Sequence, residues 1–345
     1  MQSYFLSVVD IRKETEEVST ICFKQPNLRK IKYKAGQYVS LTFKINGRKY
    51  SRAYSFSSSP SVNKDLEITV KKVTDGVVSN YILNQLKIGD IVEVMGPQGN
   101  FIISEGAKVD KIFLWGVGSG ITPLYSILNE LLFVSNDVSV YLIYGNRDKK
   151  SSIFLNELIK SSEEKSNQFR LINFLSKEDF NDESNDYFSG RISATFVEDL
   201  VLKDSNFRDS YHFICGPGEL KNEIVNSLIN CGVSRESIFF EDFKIDLDES
   251  EIALLTNCLA KVSIKGECFE FTVPKGKSVL DVALDNNLEI PYSCQTGDCG
   301  ACKANLLQGE LYCKNSNKLN GEEVSSHRLL CCSYPMTDEI VVEIE

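Results

Sequence analysis

Several features are scarce in this chain of 345 residues. No stretch approaches the roughly 18 consecutive apolar residues of a membrane span, because the best candidate is interrupted by Gly116, Gly118, Gly120 and Pro123. Basic residues do not dominate: 38 Lys plus Arg against 48 Asp plus Glu give a formal charge of −10. That balance argues against binding a phosphate backbone and mildly favours a basic protein partner. The opening MQSYFLSVVD has no basic stretch ahead of an apolar core. A secretion signal is therefore not expected, and a cytoplasmic location is. The two histidines, His212 and His327, lack suitable neighbouring cysteines, which removes a Rieske centre. Fixed-period repeats and low-complexity tracts are also missing.

The length suggests two or three domains at about 150 residues each. An apolar share of 42% and a charged share of 25% suit a globular chain. Residues 1–105 read as short, partly alternating strands broken by turn-formers such as Asn46-Gly47, with one helical pattern, VVSNYILNQL. This rhythm predicts an antiparallel barrel. Over 106–243 apolar strands alternate with helices, which predicts a doubly wound parallel sheet. Residues 244–257 are acidic and poorly periodic and read as a linker. Residues 258–345 begin with two strand-like runs and a short helix, followed by a cysteine-rich loop. That block holds 8 Lys plus Arg against 13 Asp plus Glu, a net of −5.

Eleven cysteines in a chain expected in a reducing compartment suggest metal ligation more than disulfides. Cys294, Cys299 and Cys302 stand in C-x4-C-x2-C spacing, with LLCCSYP following about 28 residues on. This is plant-type spacing for a 2Fe-2S cluster. Gly297 and Gly300 let backbone N–H groups approach the sulfides. Zinc knuckles need paired short spacings, and one C-x2-C is present. Either Cys331 or Cys332 supplies the fourth ligand on spacing alone.

Four further strings stand at ends of predicted strands. WGVGSGITP joins a strand to a helix, and its glycines allow a pyrophosphate to approach the helix N-terminus. Tyr144-Gly145-Asn146-Arg147, Cys215-Gly216-Pro217-Gly218 and Glu241-Asp242-Phe243 close later strands, where open α/β sheets bind ligands. In the first block, RAYSFSS offers the Arg52 guanidinium for a phosphate, the Tyr54 ring and the Ser55 hydroxyl.

Together these motifs resemble the ferredoxin–NADP reductase superfamily carrying a C-terminal plant-type ferredoxin domain, over all 345 residues. Within it the chain is similar to the oxygenase reductases, the branch of the phenylacetyl-CoA epoxidase and ketosteroid hydroxylase reductases. The resemblance implies a flavin-binding barrel, a nucleotide domain and a β-grasp-like ferredoxin domain: β, α/β and α+β in order. It implies electron flow from NAD(P)H through FAD and 2Fe-2S to a partner oxygenase. A hybrid-cluster protein or another redox protein is the alternative acceptor. An FMN-using branch, similar to phthalate dioxygenase reductase, shares the domain order, and the GPQGNF turn looks more like the FAD branch.

Carried over by position, Arg52 holds phosphate, Tyr54 flanks the flavin ring, and Ser55 bonds near its reactive nitrogen. Val70, Lys72, Gly76, Val78 and Ser79 complete the flavin site. Gly118, Gly120, Thr122, Asn146 and Arg147 meet the nucleotide, as do Ser176 and Lys177, Gly216 and Pro217. Cys215 lies near the nicotinamide carbon, and Ser55, Cys215 and Glu241 form the catalytic group, with Phe243 beside the cofactors. The aromatic–proline pair at Tyr334-Pro335 sets Cys331 in the frame of the fourth iron ligand, with Cys294, Cys299 and Cys302. Arg147 where dehydrogenases place an acid, and Lys177 at the end of the next strand, lean the expectation modestly towards NADPH.

Overall fold

The computed structural model describes residues 2–26, 30–104, 106, 109–179, 186–203, 206–314 and 327–344. The expected boundary at 105 falls on a residue outside this set. The chain divides into two compact units, one built from residues 1–50 and 54–242 and the other from 51–53 and 243–345.

The chain opens with β1 (Ser3–Thr15), β2 (Val18–Phe23), β3 (Tyr38–Ile45), β4 (Arg48–Ser55) and β5 (Leu66–Lys71). A helix, α1 (Val77–Asn84), and β6 (Ile91–Gln98) follow. The strands form one sheet in the order β4-β3-β6-β1-β2-β5, and an antiparallel bridge between Phe56 and Ile68 draws its two edges together. Alternation sets the faces: Leu6 and Val8 of β1 are buried while Phe5 and Val9 point outward. Leu41, Phe56, Ile68, Val78 and Ile82 share the resulting core.

The first unit continues with β7 (Lys111–Val117), α2 (Ile121–Val134), β8 (Ser139–Asn146), α3 (Leu155–Glu164) and β9 (Phe169–Leu175). After these come β10 (Tyr187–Ser189), α4 (Ala194–Lys203), β11 (Tyr211–Cys215), α5 (Gly218–Asn230) and β12 (Ile238–Glu241). The six strands form a parallel sheet, order β10-β9-β8-β7-β11-β12. Both faces are covered, so β7 buries Ile112, Phe113, Leu114 and Trp115 in succession. Ile112 and Leu114 pack with Leu124 and Leu128 of α2, whereas Phe113 and Trp115 pack with Ile224 and Leu228 of α5. On that second face the Trp115 indole N–H donates to His212 Nδ1 at 3.3 Å, and the Phe113 ring stacks on the imidazole.

Barrel and parallel sheet are joined along α2. Ser126, one turn before Glu130, donates its hydroxyl to the Ser58 carbonyl at 2.5 Å. The Glu130 carboxylate accepts the Ser59 hydroxyl at 2.5 Å and the Ser61 hydroxyl at 2.6 Å, with the Ser61 N–H at 3.1 Å.

The second unit includes α6 (Glu249–Ala253), inside the stretch expected to be a linker. Asp248 and Glu251 form a capping box, so the acidic residues that disguise the segment are what starts its helix. Glu251 also accepts from Tyr312 at 2.6 Å and Lys314 at 2.6 Å, and Leu255 is buried. A mixed five-stranded sheet follows in the order β14-β13-β19-β15-β17. Its strands are β13 (Cys258–Ile264), β14 (Glu267–Val273), β15 (Lys303–Gln308), β17 (His327–Leu329) and β19 (Glu339–Ile344). The helix α7 (Val279–Asp285) packs Val279, Leu280 and Ala283 into its core, and β16 (Leu311–Cys313) pairs with β18 (Ser333–Pro335). Among the described residues no helix is long and apolar enough to cross a membrane.

Candidate functional site

The order of the parallel sheet reverses at β7, whose neighbours are β8 and β11, so a crevice opens where their carboxyl ends diverge. Gly116 of β7 stands in register with Cys215 and Tyr144. The loop leaving β7 turns so tightly into α2 that a Cβ on Gly120 would lie 2.1 Å from the Cys215 carbonyl oxygen. Only glycine fits there, and the turn runs directly into α2, whose first N–H, at Ile121, is held by the Gly118 and Ser119 carbonyls. Thr122 is buried, and its hydroxyl donates to the Ser119 carbonyl at 3.1 Å. That side chain therefore holds the loop. Tyr144 fixes the loop from the other side, donating to the Gly118 carbonyl at 3.2 Å.

At the same end of the sheet, the structure brings together three residues predicted from the sequence. The Ser55 hydroxyl, from the barrel, donates to Glu241 Oε2 at 2.8 Å. Glu241 is the register partner of Cys215 on the adjoining strand. Burial raises the Cys215 thiol well above its ordinary range, and the Glu241 and Asp242 carboxylates add to the effect. The thiol is thus a compact neutral group. Lys221 of α5 clamps Asp242 through two contacts of 2.8 and 2.7 Å, fixing the chain just beyond Glu241.

In the barrel, the side chains of Val70 and Val78, two residues expected at the flavin site, are buried in its core. Arg52 donates to the Ser51 carbonyl at 2.8 Å, and the Tyr54 ring packs against the barrel core. Ser79 accepts the Val73 N–H at 3.2 Å and donates to the Gly76 carbonyl at 3.3 Å, which ties off the turn into α1. Lys72 is exposed and lines a cleft with Glu17, Lys71, Thr74, Asp75, Asn80 and Arg147. Arg147 reaches Glu17 across this cleft at 3.6 Å. Glu17 and Lys71 were not singled out from the sequence, since a turn glutamate and one lysine of a Lys-Lys pair carry no signal there.

The ends of β8 and β9 are knitted together: Ser176 and Lys177 donate their N–H groups to the carbonyls of Asn146 and Arg147 at 3.0 and 2.8 Å. The Asn146 side chain, its Nδ2 buried, lies beside the Tyr144 hydroxyl. Gly216 packs on Val117, and Pro217 caps α5. Phe243 lies in the second unit, about half exposed.

Within that second unit the loop 294–302 folds its sulfurs inward. Backbone N–H groups of Thr296 and Cys299 point at Cys294 Sγ at 3.4 and 3.3 Å, and those of Cys294 and Ala301 at Cys299 Sγ at 3.5 and 3.4 Å. Gly300 has φ +77°, a left-handed turn between the second and third cysteines. The Cys331 thiol lies within hydrogen-bonding reach of Cys294 and Cys302, and Cys294 within reach of Cys299. Cys332 also touches Cys331, but its own thiol donates to the Leu329 carbonyl at 3.3 Å. Among the described residues no three such side chains gather on a single ion. Four thiols joined in a chain of contacts, two of them facing backbone N–H donors, fit a small anionic iron–sulfur cluster.

Comparison with known proteins matches the oxidoreductase FAD-binding domain over residues 6–103, the oxidoreductase NAD-binding domain over 114–225 and the 2Fe-2S iron-sulfur cluster binding domain over 262–336. The chain is an NAD(P)H oxidoreductase of the ferredoxin–NADP reductase type with a 2Fe-2S domain. This reductase takes FAD, NAD(P)H and a 2Fe-2S cluster. It is 29% identical to the ferredoxin reductase component of 3-ketosteroid-9-alpha-monooxygenase from Rhodococcus rhodochrous, over 99% of this chain and 97% of that protein. It is 28% identical to a component of the 1,2-phenylacetyl-CoA epoxidase of Escherichia coli, over 99% of this chain and 97% of that component. Phthalate dioxygenase reductase shares the fold, with a TM-score of 0.68 at 22% identity over 99% of this chain and 98% of that one.

Proposed function

We propose that this reductase draws electrons from NAD(P)H and delivers them, in the cytosol, to a separate oxygenase. The carrying observation is the hydrogen bond from Ser55 of the barrel to Glu241 of the nucleotide domain, with Cys215 in the adjoining register position. When bound, FAD takes up two electrons as hydride and releases them singly to a 2Fe-2S cluster. Ser55, oriented by Glu241, would present its hydroxyl oxygen to the flavin edge. The neutral Cys215 thiol would pack beside the nicotinamide without adding charge. The Glu241 carboxylate favours the positive charge that a nicotinamide ring gains when hydride leaves. Arg52, the exposed Lys72 and the N–H groups at Gly76 and Ser79 would hold the flavin phosphates. The nucleotide phosphates would lie on Gly118 and Gly120, with the ribose end at the carboxyl end of β8 beside Asn146, Arg147, Ser176 and Lys177. Cys294, Cys299, Cys302 and Cys331 would ligate the cluster. The acidic 258–345 block suits an acceptor with a basic face.

Anaerobic stopped-flow mixing with NAD(P)H tests this reading. Flavin absorbance should bleach first and cluster absorbance second. Ser55→Ala should slow the first phase by roughly tenfold, the value of one lost hydrogen bond, with iron content unchanged. A first phase indifferent to that change, or flavin bleaching with no cluster phase after it, overturns the proposal.

A further inference from the structure

The ribose of a dinucleotide is commonly held by an acid near the end of the second strand of the parallel sheet. Here that position is Arg147, and two acids, Asp148 next in the chain and Glu178 just past the end of β9, are already committed. Asp148 accepts the Ser151 N–H at 2.8 Å as the cap of a short 3-10 turn. Glu178 accepts the Lys149 N–H at 2.7 Å. The acid that does face Arg147 comes from the barrel. Glu17 sits in the turn between β1 and β2, where its carbonyl accepts the Lys72 N–H at 2.8 Å and its N–H donates to Thr15 Oγ1 at 3.3 Å. Its carboxylate reaches Arg147 Nη2 at 3.6 Å, and both side chains remain about half exposed to the cleft.

We infer that Glu17 is a specificity-determining residue for the nucleotide, supplying from the barrel the acid that the second strand lacks and thereby favouring NADH over NADPH. A 2′-hydroxyl can donate to the Glu17 carboxylate. A 2′-phosphate must instead displace Glu17 from Arg147 and then lie beside a like charge. The inference rests on the placement of the ribose end proposed above. It also opposes the lean towards NADPH that Arg147 and Lys177 give by sequence, because one of those two cations is partly neutralised.

The test is direct binding of 2′,5′-ADP and of 5′-AMP to the full-length, FAD-loaded protein by calorimetry, for Glu17→Gln, Arg147→Gln and the double variant. Steady-state kcat/KM for NADPH and NADH is measured alongside. An exposed ion pair sets the scale, so Glu17→Gln should tighten 2′,5′-ADP by roughly 2- to 5-fold and leave 5′-AMP unchanged or weaker. The gain should vanish when Arg147 is also replaced. Arg147→Gln alone should weaken 2′,5′-ADP. If Arg147→Gln behaves so but Glu17→Gln moves both ligands equally or neither, the role of Glu17 is wrong and the ribose placement stands. If Arg147→Gln moves neither ligand, the placement itself fails and takes the inference with it.

Discussion

Cys331 and Cys332 are neighbours in the chain, yet their sulfurs face different surroundings. The first lies among Cys294 and Cys302, while the second is fully buried and donates to the Leu329 carbonyl. Cys331→Ser should therefore strip the cluster and leave flavin in place, whereas Cys332→Ser should keep a normal cluster spectrum and iron content. The opposite pattern would transfer the fourth ligand to Cys332. His212 carries a second single-residue consequence. Burial lowers its imidazole from 6.5 to about 3. The unfolded chain binds the proton more readily, so the stabilisation is complete above pH 6.5 and is lost as pH falls towards 3. The loss runs up to about 1.4 kcal/mol per pH unit through that window. His212→Gln can still accept from Trp115 without ionising, and its urea midpoint should vary less over the same range. Parallel pH curves for the two proteins would show that other groups govern acid unfolding.

At the scale of elements, α2 serves two masters. Its first turn follows the glycine loop, and further along Ser126 and Glu130 grip the Ser58–Ser61 segment of the barrel. The spacing of four puts both side chains on one face of the helix. Ser59 is fully buried, so Glu130→Ala leaves its hydroxyl without an acceptor. The expected loss is about 1–2 kcal/mol, part of the carboxylate being open to solvent. Thermal or urea unfolding measures it, and a change below about 0.5 kcal/mol, the range of ordinary surface substitutions, would reduce the contact to surface decoration. The same reasoning explains why α6 was invisible in sequence. Five residues are too few for a periodic pattern, and the capping box that starts the helix reads as a run of acids.

For the molecule as a whole, much of the architecture is legible in the sequence. Strand alternation gives way to longer buried strands and helices as the antiparallel sheet hands over to the parallel one. The continuous apolar run of β7 and the glycine string after it mark a buried strand that turns tightly into a helix. Pairings across long separations are less legible. Ser55 and Glu241 are 186 residues apart, and nothing in either local sequence announces the bond that joins them. The grip of α2 on the barrel and the reach of Glu17 to Arg147 are likewise products of docking, which no local pattern encodes. One side chain also converts this architecture into a measurement. Trp115 is the chain's single tryptophan, and it is sealed in the parallel sheet just before the glycine loop. Its fluorescence is thus a private channel for one region: emission should stay blue while that sheet is closed and redden only when it opens. Visible absorbance meanwhile follows the flavin and the iron separately. A single denaturation series, read at three wavelengths, then tells whether the reductase comes apart in one step or in several.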